Sequence, residues 1–136
     1  MCVRGASALQ KVLDANSGAP LSVFVVWEPV IATDVGPPTS GALRLIHDGR
    51  AIQYWDAKRA LSRDIVRAVR AHPSRYLPPR EIAEDLVVWD FVALFPKGVR
   101  WDQDLPVPTH YGGPVVETIT ETKEQLAREI RGQQPK

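Results

Sequence analysis

Cysteine is all but missing from this chain: Cys2 stands alone among 136 residues. One cysteine closes no internal disulfide and excludes a zinc site built on cysteine pairs. The lack of disulfides fits a reducing compartment, and a cytoplasmic location is expected. Charge of one sign is missing too. Lys and Arg number 17 against 16 Asp and Glu, a formal net charge of +1. No global field therefore points to nucleic acid or an anionic membrane, and neither is expected as a partner. No apolar run approaches the roughly 20 residues that cross a bilayer. The N-terminus lacks the basic-then-apolar pattern of a signal peptide, although a misplaced start would leave such a signal upstream of Met1. His47, His72 and His110 fall in separate loops without HxxxH or HExxH spacing, so no metal is expected. Neither GxGxxG nor GxxxxGK surrounds Gly112-Gly113, so no phosphate loop or cofactor is expected.

What is present is ordinary globular material, 44% hydrophobic and 24% charged, enough for a single domain over residues 1–136 with one core. The 12 prolines cluster in connections, at Pro37-Pro38, Pro73, Pro78-Pro79, Pro106, Pro108 and Pro114. Each tryptophan precedes an acid: Trp27-Glu28, Trp55-Asp56, Trp89-Asp90 and Trp101-Asp102. Their spacing is too irregular for a propeller repeat. The plain reading is that each Trp ends or edges a strand and each acid begins a polar loop.

Residues 3–15 read as a helix with Ala6, Leu9, Val12 and Leu13 on one face, stopped at Asn16-Ser17-Gly18. Leu21 to Trp27 is a nearly continuous apolar, β-branched run, the pattern of a central parallel strand covered on both faces. A short helix is expected near Ser40–His47 and a short strand over Ala51–Tyr54. Asp56 is a natural N-cap for a helix over 57–71. Leu61, Ile65, Ala68 and Val69 make that helix's apolar face. Arg59, Arg63, Arg67 and Arg70 make a basic stripe, read as a solvated face. Leu86 to Phe95 is the second strong strand. Pro96-Lys97-Gly98 then turns the chain so that Val99-Arg100-Trp101 returns antiparallel. A helix over 119–131, capped by Thr118 or Thr120, closes the chain, and 131–136 read as a frayed tail.

The order is that of an α/β sandwich: a mostly parallel sheet with a late antiparallel hairpin, flanked by helices. It resembles a thioredoxin-like fold entered at its active-site helix. Cys2 to Leu9 resembles the helix that follows the second cysteine of a CxxC motif. Tyr54-Trp55-Asp56-Ala57 leading to Ala60 and Leu61 resembles the D-P-x-x-x-x-A segment of peroxiredoxin-like and thiol-reductase relatives. Phe91 to Val99 resembles their strand–turn–strand. The resemblance spans roughly residues 2–131 and implies thiol–disulfide chemistry by descent.

It also marks departures. The usual first strand is missing, and the nucleophilic cysteine would precede residue 2, which leaves Cys2 in the resolving position. Aligning the turn puts Asp90 where the family has its cis-proline. An acid there would raise the pKa of a nearby thiol by like-charge repulsion. The expected function is a thioredoxin-like protein, inactive or limited to one-thiol chemistry through Cys2.

Cys2 is the candidate catalytic residue, since a helix N-terminus and Arg4 favour thiolate. Trp27 and Glu28 follow the first strand, where open α/β sheets bind ligands. Trp89 and Asp90 reach the same edge if the alignment holds, and His110 stands in a loop beside Tyr111 and Gly112-Gly113. These five are the candidate substrate- or partner-binding residues. The expected partner is a protein thiol or disulfide. The alternative function is a non-catalytic binding module or homodimer using an exposed sheet edge. A third is a shortened product of a CxxC-carrying oxidoreductase.

Overall fold

The computed structural model describes residues 3–73, 75–76, 88–102 and 104–132. They form a mixed α/β protein in two compact units, Met1–Leu61 and Ser62–Lys136.

The first unit begins with α1 (Val3–Ala15), followed by β1 (Val23–Trp27), α2 (Ser40–Leu43) and β2 (Ala51–Trp55). α1 occupies the span its periodicity predicts. Its apolar stripe buries Ala6, Val12 and Leu13. β1 and β2 pair in parallel from Val23↔Ala51 to Trp27↔Trp55. Alternation along the strands sends Val23, Val25 and Trp27, with Ala51 and Trp55, into one core with Ala6, Leu9, Leu13 and Ile46. The opposite face is only partly covered among the described residues, with Val26 half-buried on it. Phe24 is 63% exposed, and Ile52 and Tyr54 are about half exposed. The expectation of a strand buried on both faces therefore holds in part: one face of β1 is well covered, and the other leaves Phe24 open. β1 also starts two residues later than expected, because Leu21 is held in a turn by its bond to the Ala19 carbonyl.

Arg50 ties this unit together. Its guanidinium donates to the carbonyls of Leu13, Asn16 and Ala19 at 2.7–3.0 Å. Nε and one terminal nitrogen grip the Asp48 carboxylate at 2.8 and 2.6 Å. The arginine thus meets carbonyls that the end of α1 leaves without helical partners.

α3 (Ala60–Ala71), whose first two residues belong to the first unit, leads into the second, where β3 (Val92–Leu94), β4 (His110–Gly112) and α4 (Val115–Gly132) follow. β3 and β4 pair antiparallel, with Val92 opposite Gly112 and Leu94 opposite His110, and α4 packs on both strands. Val69, Tyr76 and Leu105 make a second small core. Tyr76 is buried, and its hydroxyl donates to the Leu105 carbonyl.

Several expectations change here. Pro96-Lys97-Gly98 does turn, with Val99 N–H bonding the Pro96 carbonyl and Gly98 at φ +82°. The antiparallel partner of β3, however, is His110–Gly112 and not Val99-Arg100-Trp101. Of the predicted strand over 86–95, Val92–Leu94 is the ladder segment, and Leu86 and Val87 lie outside the described residues. α4 starts at Val115 and not at 119, so Thr118 and Thr120 sit inside it. Pro114 stands just before that helix, its carbonyl accepting from Glu117 and Thr118 N–H. The helix includes Arg131 and Gly132, and the rest of the expected frayed tail lies outside the described residues.

Candidate functional site

Cys2 lies outside the described residues, and α1 begins at the next position, Val3. The other candidates fall in two places, Trp27 and Glu28 in the first unit and Trp89, Asp90 and His110 in the second.

Trp27 ends β1. Expected at an exposed aromatic edge, it is buried at 8% exposure. Its Nε1 donates to Gln53 Oε1 at 2.9 Å, and Gln53 Nε2 donates to the Leu43 and Ile46 carbonyls. The indole is thus held by the core on one side and by a polar bridge to the α2 segment on the other.

Glu28 stands one position on, beside Asp56. The strands stay in register to this point, since Asp56 N–H bonds the Trp27 carbonyl at 2.9 Å. The Glu28 side chain hydrogen-bonds Asp56. Asp56 also accepts from Lys58 N–H at 3.2 Å and Leu61 N–H at 2.9 Å. Burial works to raise the Asp56 carboxyl. The N–H groups of Leu61, Lys58 and Ala60, with the Glu28 bond, outweigh it and hold the group below its ordinary range. The carboxyl edge of the parallel pair therefore sets Glu28 beside Asp56, of which the sequence pattern identified Glu28 as a site acid and Asp56 as a cap.

Asp56 caps at longer range than expected. Ala57, Lys58 and Arg59 turn first, with Arg59 at φ 53°, and regular helix begins at Ala60.

In the second unit Trp89 is half exposed, and Asp90 takes a left-handed φ of 49° just before β3. Asp is among the few residues that adopt this conformation at modest cost. His110 opens β4 and lies against α4. Its Nε2 is 3.1 Å from Thr122 Oγ1 and 3.4 Å from Thr118 Oγ1. Thr122 is 1% exposed and donates its only hydroxyl proton to the Thr118 carbonyl at 2.8 Å. That bond assigns the tautomer: Nε2 carries hydrogen and donates, leaving the lone pair on Nδ1. Burial holds His110 below its ordinary 6.5, and Arg128 pushes the same way against Glu121. The arrangement orients the imidazole against α4 through Nε2.

Among the described residues no group of three or more His, Cys, Asp or Glu could hold a metal ion. No described helix is long and apolar enough to cross a membrane. A groove of about 600 Å³ in the second unit is lined by Arg75, Arg100, Asp102 and Asp104 with Leu105 to Val107, and by none of the candidate residues. No protein-family model matches the chain, and no curated protein or solved structure matches it significantly.

Proposed function

We propose that the chain is a thioredoxin-like domain, related to thiol–disulfide enzymes by descent, and inactive or limited to one-thiol chemistry through Cys2. One observation carries the reading. A helix starting on the residue after the only cysteine leads into a parallel β1–α2–β2 unit, and an antiparallel pair with a C-terminal helix follows α3. Asp56, at the end of β2, caps the next helix, which supports the likeness drawn from Tyr54-Trp55-Asp56-Ala57.

In a one-thiol reaction the Cys2 thiolate attacks one sulfur of a partner disulfide. The partner S–S bond breaks, a mixed disulfide with Cys2 forms, and the departing partner thiolate takes up a proton. A thiolate from an external thiol then attacks the partner sulfur of the mixed disulfide, which returns Cys2 as thiolate. The net change is thiol–disulfide exchange.

The test is the alkylation rate of Cys2 against pH in the full chain, read by mass spectrometry. A thiol pKa below the roughly 8.5 of free cysteine is expected for one-thiol chemistry, and Cys2→Ser then abolishes any disulfide reductase activity. Alkylation no faster than free cysteine overturns the chemistry and leaves only the scaffold.

A second reading, a non-catalytic binding module or homodimer, draws on the partly covered face of β1–β2 with Phe24, Ile52 and Tyr54. Parallel sheets are ordinarily covered on both faces, and exposed strand edges accept further strands. This reading expects association that survives high salt; a monomer over a wide concentration range counts against it.

A further inference from the structure

α3 and α4 carry stripes of opposite charge at one spacing. Arg63, Arg67 and Arg70 stand at i, i+4 and i+7 on α3, and all three are exposed. Glu117, Glu121 and Glu124 stand at i, i+4 and i+7 on α4, and all three are exposed. Such spacing lines residues along one helix face, and at about 1.5 Å per residue each stripe is roughly 10 Å long.

Little within the chain neutralises either stripe. Asp64 pairs with Arg67 at 3.1 Å on the open surface. Lys123 lies about 120° round α4 from the glutamate line, and Arg128, which continues that line one turn beyond Glu124, bonds Gln125 and makes no ion pair among the described residues. Among the described residues, Arg63, Arg70 and the three glutamates make no ion pair. A formal net charge of +1 also means that two copies do not repel each other strongly as wholes.

We propose that the chain forms a two-fold symmetric homodimer in which α3 of each protomer lies along α4 of the other. Symmetry makes every arginine–glutamate contact occur twice. In a parallel match Arg63 meets Glu117, Arg67 meets Glu121 and Arg70 meets Glu124. Arg128 and Arg131 then run past the end of α3 at Ala71, away from like charge. The complementary surface is on the chain itself at matching spacing, which favours a second copy over a foreign anion. Exposed ion pairs are individually weak, so this dimer is weak and sensitive to salt. It is independent of any thiol chemistry.

Sedimentation equilibrium of the full chain at low and high salt tests it, near 0.01 M and 1 M, where the screening length is roughly 30 and 3 Å. The expected result is a dimer at low salt whose dissociation constant rises at least about tenfold at high salt. The triple variant Arg63→Glu, Arg67→Glu, Arg70→Glu is expected to be monomeric, as is Glu117→Lys, Glu121→Lys, Glu124→Lys. An equimolar mixture of the two restores a dimer, because both contacts become attractive again. Circular dichroism checks that each variant folds. Where a reversal unfolds the chain, the matching Gln substitutions take its place and are expected to weaken the dimer. A monomer at low salt, a dimer indifferent to salt, a dimer that survives either variant, or a mixture that stays monomeric overturns the proposal. Indifference to salt would instead point to the apolar face of β1–β2.

Discussion

Charged side chains carry much of the fastening in the first unit, beside neutral bonds such as Trp27 to Gln53, whereas among the described residues the side-chain bonds that join elements of the second unit are neutral. In residues 1–61 Arg50 bridges Asp48 and three carbonyls, Asp34 accepts from Val30 and Ile31 N–H, and Asp56 caps the next helix. In residues 62–136 the fastenings are Thr122 to His110, Tyr76 hydroxyl to the Leu105 carbonyl, and Ser62 Oγ to Val88 N–H. The difference follows from what each must hold. In the first unit a helix end has carbonyls left over, and a guanidinium with five donors serves several at once. In the second, α4 lies close against a short antiparallel pair, where hydroxyls fit and long charged groups do not. Charge-assisted bonds are the stronger kind, so the two units are expected to fail differently.

The largest effect is expected from Arg50→Ala. It strips partners from the Leu13, Asn16 and Ala19 carbonyls and leaves Asp48 without its cation. A fall in Tm on the order of 10 °C is expected. Amide hydrogen exchange should show the loss in α1 and β1–β2. Equal loss in β3–β4 would break the comparison.

Next comes Gly112→Ala. A Cβ there would sit 2.6 Å from Thr118 Oγ1, so the Thr118 side chain or the backbone beside it must shift. Overpacking of this kind costs about 1–3 kcal/mol. The double variant Gly112→Ala, Thr118→Ala should recover most of it in denaturant unfolding. No recovery would mean that strand and helix are not in the close packing described. Smaller still is Tyr76→Phe, expected to cost about 1–2 kcal/mol because the Leu105 carbonyl is left without its donor. An unchanged midpoint would remove Tyr76 from the second unit's fastenings.

Local pattern made some of this legible in advance, and non-local pairing hid the rest. α1 was readable because its apolar stripe and its stop signal are both in the local sequence. The start of α4 was misread from its threonines, although Pro114 with Glu117 in the first turn is the better start signal. The partner of β3 was misassigned because a turn at Gly98 says that the chain bends, not where it next pairs. Arg50 gave no warning, since a loop arginine carries no local mark of three distant carbonyls. Of the candidate site, the sequence pointed to Glu28 and His110, and the structure sets Glu28 against Asp56 and His110 against Thr122. Asp56 and Thr118 were read only as helix caps and Thr122 not at all, because strand register and helix packing are what bring them to Glu28 and His110.

The sharpest test of the comparison is also the one with the smallest expected effect, the pH at which each unit loosens. Asp48 is held at about 2 by its bond to the Arg50 side chain and then by Arg50 N–H, against an ordinary 3.8. A carboxyl lowered by folding gives its full stabilisation above 3.8 and loses it as pH falls toward 2. Asp34, lowered by Val30 and then Ile31 N–H, and Asp56 act in the same direction. His110 is lowered too, by burial first, but from an ordinary 6.5. Below 6.5 the unfolded chain takes up a proton that the folded chain resists, so the second unit begins to lose stability as pH falls through 6.5. Amide exchange from pH 7 downward should therefore show β3, β4 and α4 losing protection first, while α1, β1 and β2 hold until below pH 4. Thr122→Val should not abolish the His110 effect if burial causes it, whereas His110→Gln should flatten the second unit's response between pH 7 and 5. The reverse order of loss, or a flat response with His110 intact, would mean that the neutral fastening of the second unit is not what its pH dependence reads.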